Sequence, residues 1–434
     1  MKKKLLIIEL NEINFDLAKN YIENGHNLEN FTSVLNSFTF SHSTSEEQYE
    51  NLEPWIQWVS AHTGKSYFEH KIFRLGDIEN KENPEQIFEK LERLGFSVGA
   101  VSPMNAINAL ESPKYFIPDP WTNTSPDNSR LSKKVFKMLK QTVNDNSMGK
   151  ISLSSVLTII ELVLRTLDIK NLIFFVDLVA KSVLKKKWMK PMVLDYLIHK
   201  LHLKLFKKHQ PDVSFVFLNG GAHIQHHYFS NSPYASPKKE NPKWYIDPEE
   251  DPILDMLIHY DNLIGEYLKL DQKLIIATGL SQIPFGKNAF YWRLKDHRRF
   301  LDMLGIKYLD VLPRMTRDFE IRFSNLEDQE KCKNILQAIK VKRDGKFVFE
   351  EVEERRNSIF VTLTYEDEIF KDDRVVHSCV EINLYDQVTF VAIKNGMHSS
   401  KGYVMCSPNI KEKFKENDHI KNLNNLIIQS MLNQ

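Results

Sequence analysis

Leu5–Leu10 is a short apolar run bounded by polar residues, the pattern of a strand buried on both faces. Phe15, Leu17 and Ile22 then recur at helical spacing as far as Gly25. A helix is expected over 53–63, with Pro54 at a first-turn position where its missing N–H costs nothing. Another is expected over 84–94, stopped at Gly95, and a strand over 96–101. Strand, helix, helix, strand in the first hundred residues predicts a doubly wound, mostly parallel α/β sheet in three layers.

Residues 102–130, rich in Pro, Asn and Ser, read as a long loop, and 131–209 are helical throughout. A strand follows at 213–218, a Pro-rich loop at 231–252, a helix from Leu254 to Leu268, a strand at 273–277 and a helix at 297–304. Residues 318–385 suggest a small α+β insert, with strands near 319–323, 347–352, 358–363 and 376–384 around a helix at 326–339. A strand at 388–393 and a turn at 394–401 return the chain to the main sheet. The expected organisation is an α/β core of 1–130, 211–317 and 386–434, a basic helical insert or cap at 131–210, and the small insert at 318–385.

The 434 residues carry 42% hydrophobic and 26% charged side chains, which excludes a mostly disordered chain. A formal charge of +1 argues against a global grip on nucleic acid, and no nucleic-acid partner is expected. Cys332, Cys379 and Cys406 are widely spaced without a CxxC, which excludes a disulfide scaffold and a cysteine zinc site and fits a reducing compartment. The lysines at 2–4 and the apolar residues after them imitate a signal peptide, but Glu9, Asn11 and Glu12 break the run. No stretch reaches the ~18 uninterrupted apolar residues of a membrane helix. A soluble cytoplasmic protein is expected. Nine lysines against one acid over 181–209, interleaved with Leu, Val, Trp188 and Phe206, suit a segment that lies on anionic lipid at the inner membrane face. They suit equally the solvated outer face of a cap.

Ligands of open α/β sheets sit outside the carboxyl ends of the strands. Asn11, Glu12 and Asn14 follow the first strand, with Glu9 inside it; Asn219, His223, Gln225, His226 and His227 follow the strand at 213–218. Thr278, Ser281 and Gln282 follow the one at 273–277, and Asn395, His398, Ser399, Ser400 and Lys401 follow the last. The start of the helix at 53 adds Glu53 and Gln57. Such a convergence of His, Asn and Glu is what an anion or metal site requires. Imidazole nitrogen suits zinc or manganese and is a base near pH 7. The plainer alternatives are histidines that cap a helix, a turn histidine at 398, and Glu53 as an N-cap.

These segments, in this order, resemble the alkaline phosphatase superfamily, particularly its phosphodiesterase and nucleotide-pyrophosphatase-like branch. Leu10-Asn-Glu-Ile-Asn-Phe-Asp16 sits where the family has a metal-binding Asp followed by Phe-Asp, with Asn11 at the Asp position. The tail of the nucleophile helix is matched by Ser60-Ala-His-Thr-Gly64, and the Asp-x-x-x-His metal motif by Ala222-His-Ile-Gln-His226. Tyr260-Asp-Asn-Leu-Ile-Gly265 resembles a further family helix, Thr278-Gly279-Leu280 stands at the later Asp-His-Gly, and Gly396-Met-His398 at the final Gly-x-His. The resemblance implies the alkaline phosphatase fold. Of the usual two-metal ligands it leaves only His226 and His398, and it puts Glu53 or Pro54 at the nucleophile. Two adjacent dications need several carboxylates, so an ordinary two-zinc site is not expected.

Three readings follow. One Zn or Mn sits on His226 and His398, helped by Glu9, Glu12 or Glu53; or His226, His398, Glu53 and Lys401 act without metal; or the protein is a catalytically inactive relative that binds a ligand or partner. The leading expectation is a hydrolase or group transferase for a small anionic, phosphorylated or glycan-type substrate, including the lipid-linked precursors of polysaccharide biosynthesis. Glu53, His226, His398 and Asn11 would be catalytic, and Glu12, Gln57, Asn219, His223, His227 and Lys401 would contact substrate.

Overall fold

Along the central strands alternate residues are buried on opposite faces, as a sheet covered on both sides demands. In the computed structural model, which describes residues 3–79, 84–146, 153–314, 317–377 and 380–433, strand β1 (Leu5–Leu10) is fully buried. It leads into helix α1 (Phe15–Glu23), then α2 (Glu29–Ser37), strand β2 (Thr39–Thr44) and helix α3 (Pro54–Thr63). Strands β3 (Val98–Val101) and β4 (Tyr115–Ile117) precede four long helices: α4 (Arg130–Asn146), α5 (Leu153–Thr166), α6 (Ile169–Leu184) and α7 (Lys190–His209). The chain continues through β5 (Val213–Leu218), α8 (Gly220–Tyr228), α9 (Pro252–Leu268) and β6 (Lys273–Ala277), and ends through β7 (Lys401–Cys406), β8 (Asp418–His419) and α10 (Leu423–Leu432).

These strands form one eight-stranded sheet in the order β8-β2-β7-β6-β1-β5-β3-β4. β1 pairs in parallel with β5 and β6, and β3 with β5 and β4. β7 runs antiparallel to both β6 and β2. Leu6, Ile8, Leu10, Val216 and Leu218 pack on one face with residues of α1, α2, α7 and α9. Leu5, Ile7, Phe215 and Phe217 pack on the other with Trp58 of α3 and Met431 of α10. Each such side chain contributes ~1.5–3 kcal/mol when fully buried. This is the expected doubly wound α/β sheet in three layers.

The structure corrects several details. β2 and the short β4 are strands where none was expected. The strand that rejoins the main sheet is β7, not 388–393: the segment Val388–Ser399 pairs instead with Ser281–Leu294 in a two-stranded ribbon. Over 181–209, the interior of α7 fits the alternative of a cap helix packed on the core with its lysines other than Lys200 outward. Met192, Tyr196, Leu201 and Phe206 are buried in the core, so the apolar residues of this helix face inward. Its Lys200 is buried too, with its ammonium on Glu266 (2.5 and 2.6 Å).

The chain divides into two compact units, one of residues 1–238, 242–284 and 396–434 and a second of 239–241 and 285–395, a wider span than the 318–385 read from sequence. The second holds an antiparallel four-stranded sheet in the order Glu351–Arg355, Ser358–Thr362, Asp318–Arg322, Asp310–Pro313. Helix Leu326–Ala338 packs on it, and Phe319, Ile321, Ile359 and Val361 are buried. Cys332 and Cys406 are buried free thiols, and Cys379 lies outside the described residues.

Candidate active site

The carboxyl ends of β1, β5 and β6 open on a single set of polar side chains. Glu12, directly after β1, adopts a left-handed backbone (φ 63°), a conformation that costs a non-glycine residue ~1–2 kcal/mol. Its N–H is held by the Thr278 carbonyl (3.1 Å) and its carbonyl by the Gln225 amide (2.8 Å). The turn swings the Glu12 side chain over the strand ends. Asn11, at the position where the resemblance puts a metal-binding Asp, is instead fully engaged. Its Oδ1 accepts from the Trp58 indole (2.8 Å), and its Nδ2 donates to Asn219 Oδ1 (2.7 Å) and Glu12 Oε1 (2.9 Å).

His226 is delivered by α8. The start of that helix fits against its neighbours only because Gly220 and Gly221 have no side chain: a Cβ on the first would lie 2.3 Å from Met192 Cε, and on the second 2.4 Å from Ile13 Cδ1. The N–H groups of Gly220 (2.8 Å) and Asn219 (3.3 Å) donate to the buried Asp195 of α7, and so does the Tyr260 hydroxyl (2.6 Å). Burial nevertheless pushes the Asp195 carboxyl up to about 6, against those donors. His398 lies near the end of Val388–Ser399. Two residues before it, a Cβ on Gly396 would meet Gln282 Oε1 at 2.2 Å and the Gln225 carbonyl oxygen at 2.5 Å.

Three donor atoms converge. Glu12 Oε2 lies 3.1 Å from His226 Nε2 and 3.2 Å from His398 Nε2, and the two imidazole nitrogens are 3.2 Å apart. The Gln282 amide donates to the same carboxylate oxygen (2.5 Å). Glu12 is buried, His398 nearly so, and His226 is 26% exposed, so the cluster opens to solvent at His226. Burial alone would raise the Glu12 carboxyl, but His398 and His226 beside it hold it well below the usual carboxylate range. Glu53 approaches from the start of α3. Its side chain does not cap its own helix, against the N-cap alternative; Glu53 Oε2 lies 3.8 Å from His398 Nδ1.

The donor set fits one divalent cation. Two imidazoles and a carboxylate are the ligands of many catalytic zinc sites, which keep a fourth position open. Ligand bonds of ~2.0–2.1 Å at tetrahedral angles separate donor atoms by about 3.3 Å, close to the spacing found. Three such atoms this close face one another through protons on the imidazole nitrogens or through a metal between them. Among the described residues this is the one cluster of three such side chains. A second metal finds no carboxylate at Asn11, Ala222, Thr278 or Gly279.

Asn11, Glu12, Asn219, His226, His398 and Glu53 are thus brought together. His227 stands beside His226 with its ring edge-on to His223 (centroids 4.7 Å), and His223 is exposed. Gln57 is buried in α3, donating to the Asn51 carbonyl (2.8 Å), and does not reach the cluster. Lys401 is held by Asp16 (2.6 Å), away from the donor atoms. Glu9 is no helper of a metal: inside the sheet, on the α3 side, its carboxylate meets the buried His62 (2.7 Å). Sequence reasoning missed Trp58 and Asp195. Both left a signal: a buried indole N–H needs an acceptor, and Asp195 is the single acid among nine lysines.

No family model and no curated protein matches this chain. Among solved structures it is similar to murine ectonucleotide pyrophosphatase/phosphodiesterase 5 (12% identity, 99% of this chain and 95% of that one, TM-score 0.44). It is similar also to phosphonoacetate hydrolase from Sinorhizobium meliloti 1021 (11% identity, 99% and 96%, TM-score 0.42). A third is alkaline phosphatase from the Antarctic bacterium TAB5 (9% identity, 100% and 99%, TM-score 0.43). The fold is read from the strand order, and the chemistry of the site from the side chains themselves.

Proposed function

We propose that this protein is a phosphoester hydrolase with a single divalent metal, Zn or Mn, on Glu12, His226 and His398. The observation that carries the reading is the convergence of Glu12 Oε2 and the two Nε2 atoms within 3.2 Å of one another. When bound, the ion supplies Lewis acidity, polarising a phosphoryl oxygen and offsetting its charge. Glu53, which already faces His398, accepts the proton of the attacking water. Asn219 Oδ1 is taken by Asn11, which turns its Nδ2 outward; that amide has no acceptor among the described residues and donates to the substrate. Asn11 positions both Glu12 and Asn219 rather than touching substrate.

Charge selects the substrate. Two positive charges of the ion are balanced by the Glu12 and Glu53 carboxylates, leaving the site without net attraction for a dianion. A monoanionic phosphodiester therefore fits better than a dianionic phosphomonoester, and glycan-linked and lipid-linked diesters belong to this class. The buried free thiols of Cys332 and Cys406 suit the cytoplasmic location we propose.

The test is a panel of aryl phosphodiesters, phosphomonoesters, nucleotide sugars and lipid-linked diesters, assayed after chelation and after return of Zn or Mn. Diester turnover that disappears with the metal and returns with it supports the reading. Glu53→Gln should lower kcat by about 10²–10⁴ with metal content unchanged. Anion binding without turnover of any substrate would make the protein a ligand-binding relative instead.

A further inference from the structure

The helices that pack on α7 from outside, α5 and α6, each turn an apolar stripe to solvent. On α5 it runs through Leu157, Ile160 and Leu164, the last 75% exposed. On α6 it runs through Ile169, Ile173 and Val176 to Val183 and Leu184, the last 77% exposed. The opposite positions, among them Leu162, Phe175 and Leu178, are buried in the core. Both helices are therefore apolar on two sides, which water-facing helices of a globular protein are not. At about 24 Å, α6 is too short to span a bilayer, and no described helix is long and apolar enough to cross one.

Charge tells what covers this face. Directly after Leu184 come Lys185, Lys187 and Lys190, exposed and without an ion pair among the described residues. The acids of 153–190 are all engaged. Glu161 holds Lys134 and Arg165, Asp177 holds Lys181 (2.7 Å), and Asp168 accepts from the Asn171 N–H (2.9 Å) to cap α6. A second copy docked through this same face would bring these lysines no free carboxylate. We infer that the α5–α6 face docks on an anionic lipid surface, its apolar stripes lying in the headgroup boundary and Lys185, Lys187 and Lys190 on lipid phosphates. This keeps residues 183–190 of the basic segment in the lipid contact and adds α5 and the rest of α6, and it does not depend on the chemistry of the active site.

Co-sedimentation with phosphatidylcholine vesicles, with and without phosphatidylglycerol, tests it on the whole protein. Binding is expected at low salt to the phosphatidylglycerol vesicles. A Lys185→Ala/Lys187→Ala/Lys190→Ala variant should bind them on the order of 100-fold more weakly, about fivefold for each lysine. A Leu164→Gln/Ile173→Gln variant, altered only at exposed positions and so expected to keep its circular dichroism and Tm, should lose binding as well. Failure of the wild type to sediment with anionic vesicles overturns the inference, and so does binding indifferent to the Leu164/Ile173 change. A dimer in sedimentation velocity that this double variant dissociates would make a second copy the occupant, also against it.

Discussion

Glu12 shows how one backbone angle relocates a functional group. Its left-handed turn carries a carboxylate to the two histidines, while Asn11 is spent on Trp58, Asn219 and Glu12 itself. Asn11→Asp would therefore not restore a second metal site. It replaces a donor with a second carboxylate against Glu12 Oε1 and Asn219 Oδ1, and should cost about 1–3 kcal/mol in denaturant unfolding, with no gain in bound metal. Asp195 gives a pH signature. Its folded value of about 6 lies above the ordinary 3.8, so the folded state holds the proton more tightly. Stability from this group is complete below about pH 4 and is lost as pH rises through about 6. The stability of the wild type minus that of Asp195→Asn should fall by up to about 3 kcal/mol between those limits, at ~1.4 kcal/mol per unit. A flat difference across that range would show that Asp195 is not strained by burial.

At the scale of elements, the site depends on close approach. Gly396→Ala would drive a Cβ into the Gln225 carbonyl and the Gln282 amide oxygen, an overpacking worth about 1–3 kcal/mol. Because His398 follows two residues later, metal affinity should fall in protein that remains folded, measurable by titration at a temperature below the shifted Tm. The elements that frame the site were legible. β1, β5, β6 and α3 coincide to within a residue or two with their apolar runs, because burial on both faces leaves a continuous signal. Other features are not local. β2 and β7 pair across the chain, His42 against Tyr403, and no periodicity announces such a partner. The lysines of α7 masked a helix whose other positions are core, while α5 and α6, richer in apolar residues, expose part of theirs. Composition records how many apolar residues a helix has, not how many of its sides are covered. Glu12 was recognised as a strand-end carboxylate, but its place beside His226 and His398 follows from a φ angle that sequence does not carry.

For the whole molecule, a doubly wound sheet places the ends of β1, β5 and β6 side by side, and four segments spread between residues 12 and 398 meet there. On the reading proposed above, one dication against two carboxylates at that meeting point favours diesters. Glu53→Gln should narrow that preference: with one negative charge gone, binding of phosphomonoesters, read as KM or as inhibition by inorganic phosphate, should tighten while kcat falls. The central claim is that Glu12, His226 and His398 together hold a single metal ion. Native mass spectrometry of the purified protein should find about one Zn or Mn per chain, and none in a folded His226→Ala/His398→Ala variant. Two ions per chain, or one ion retained by that variant, would contradict it.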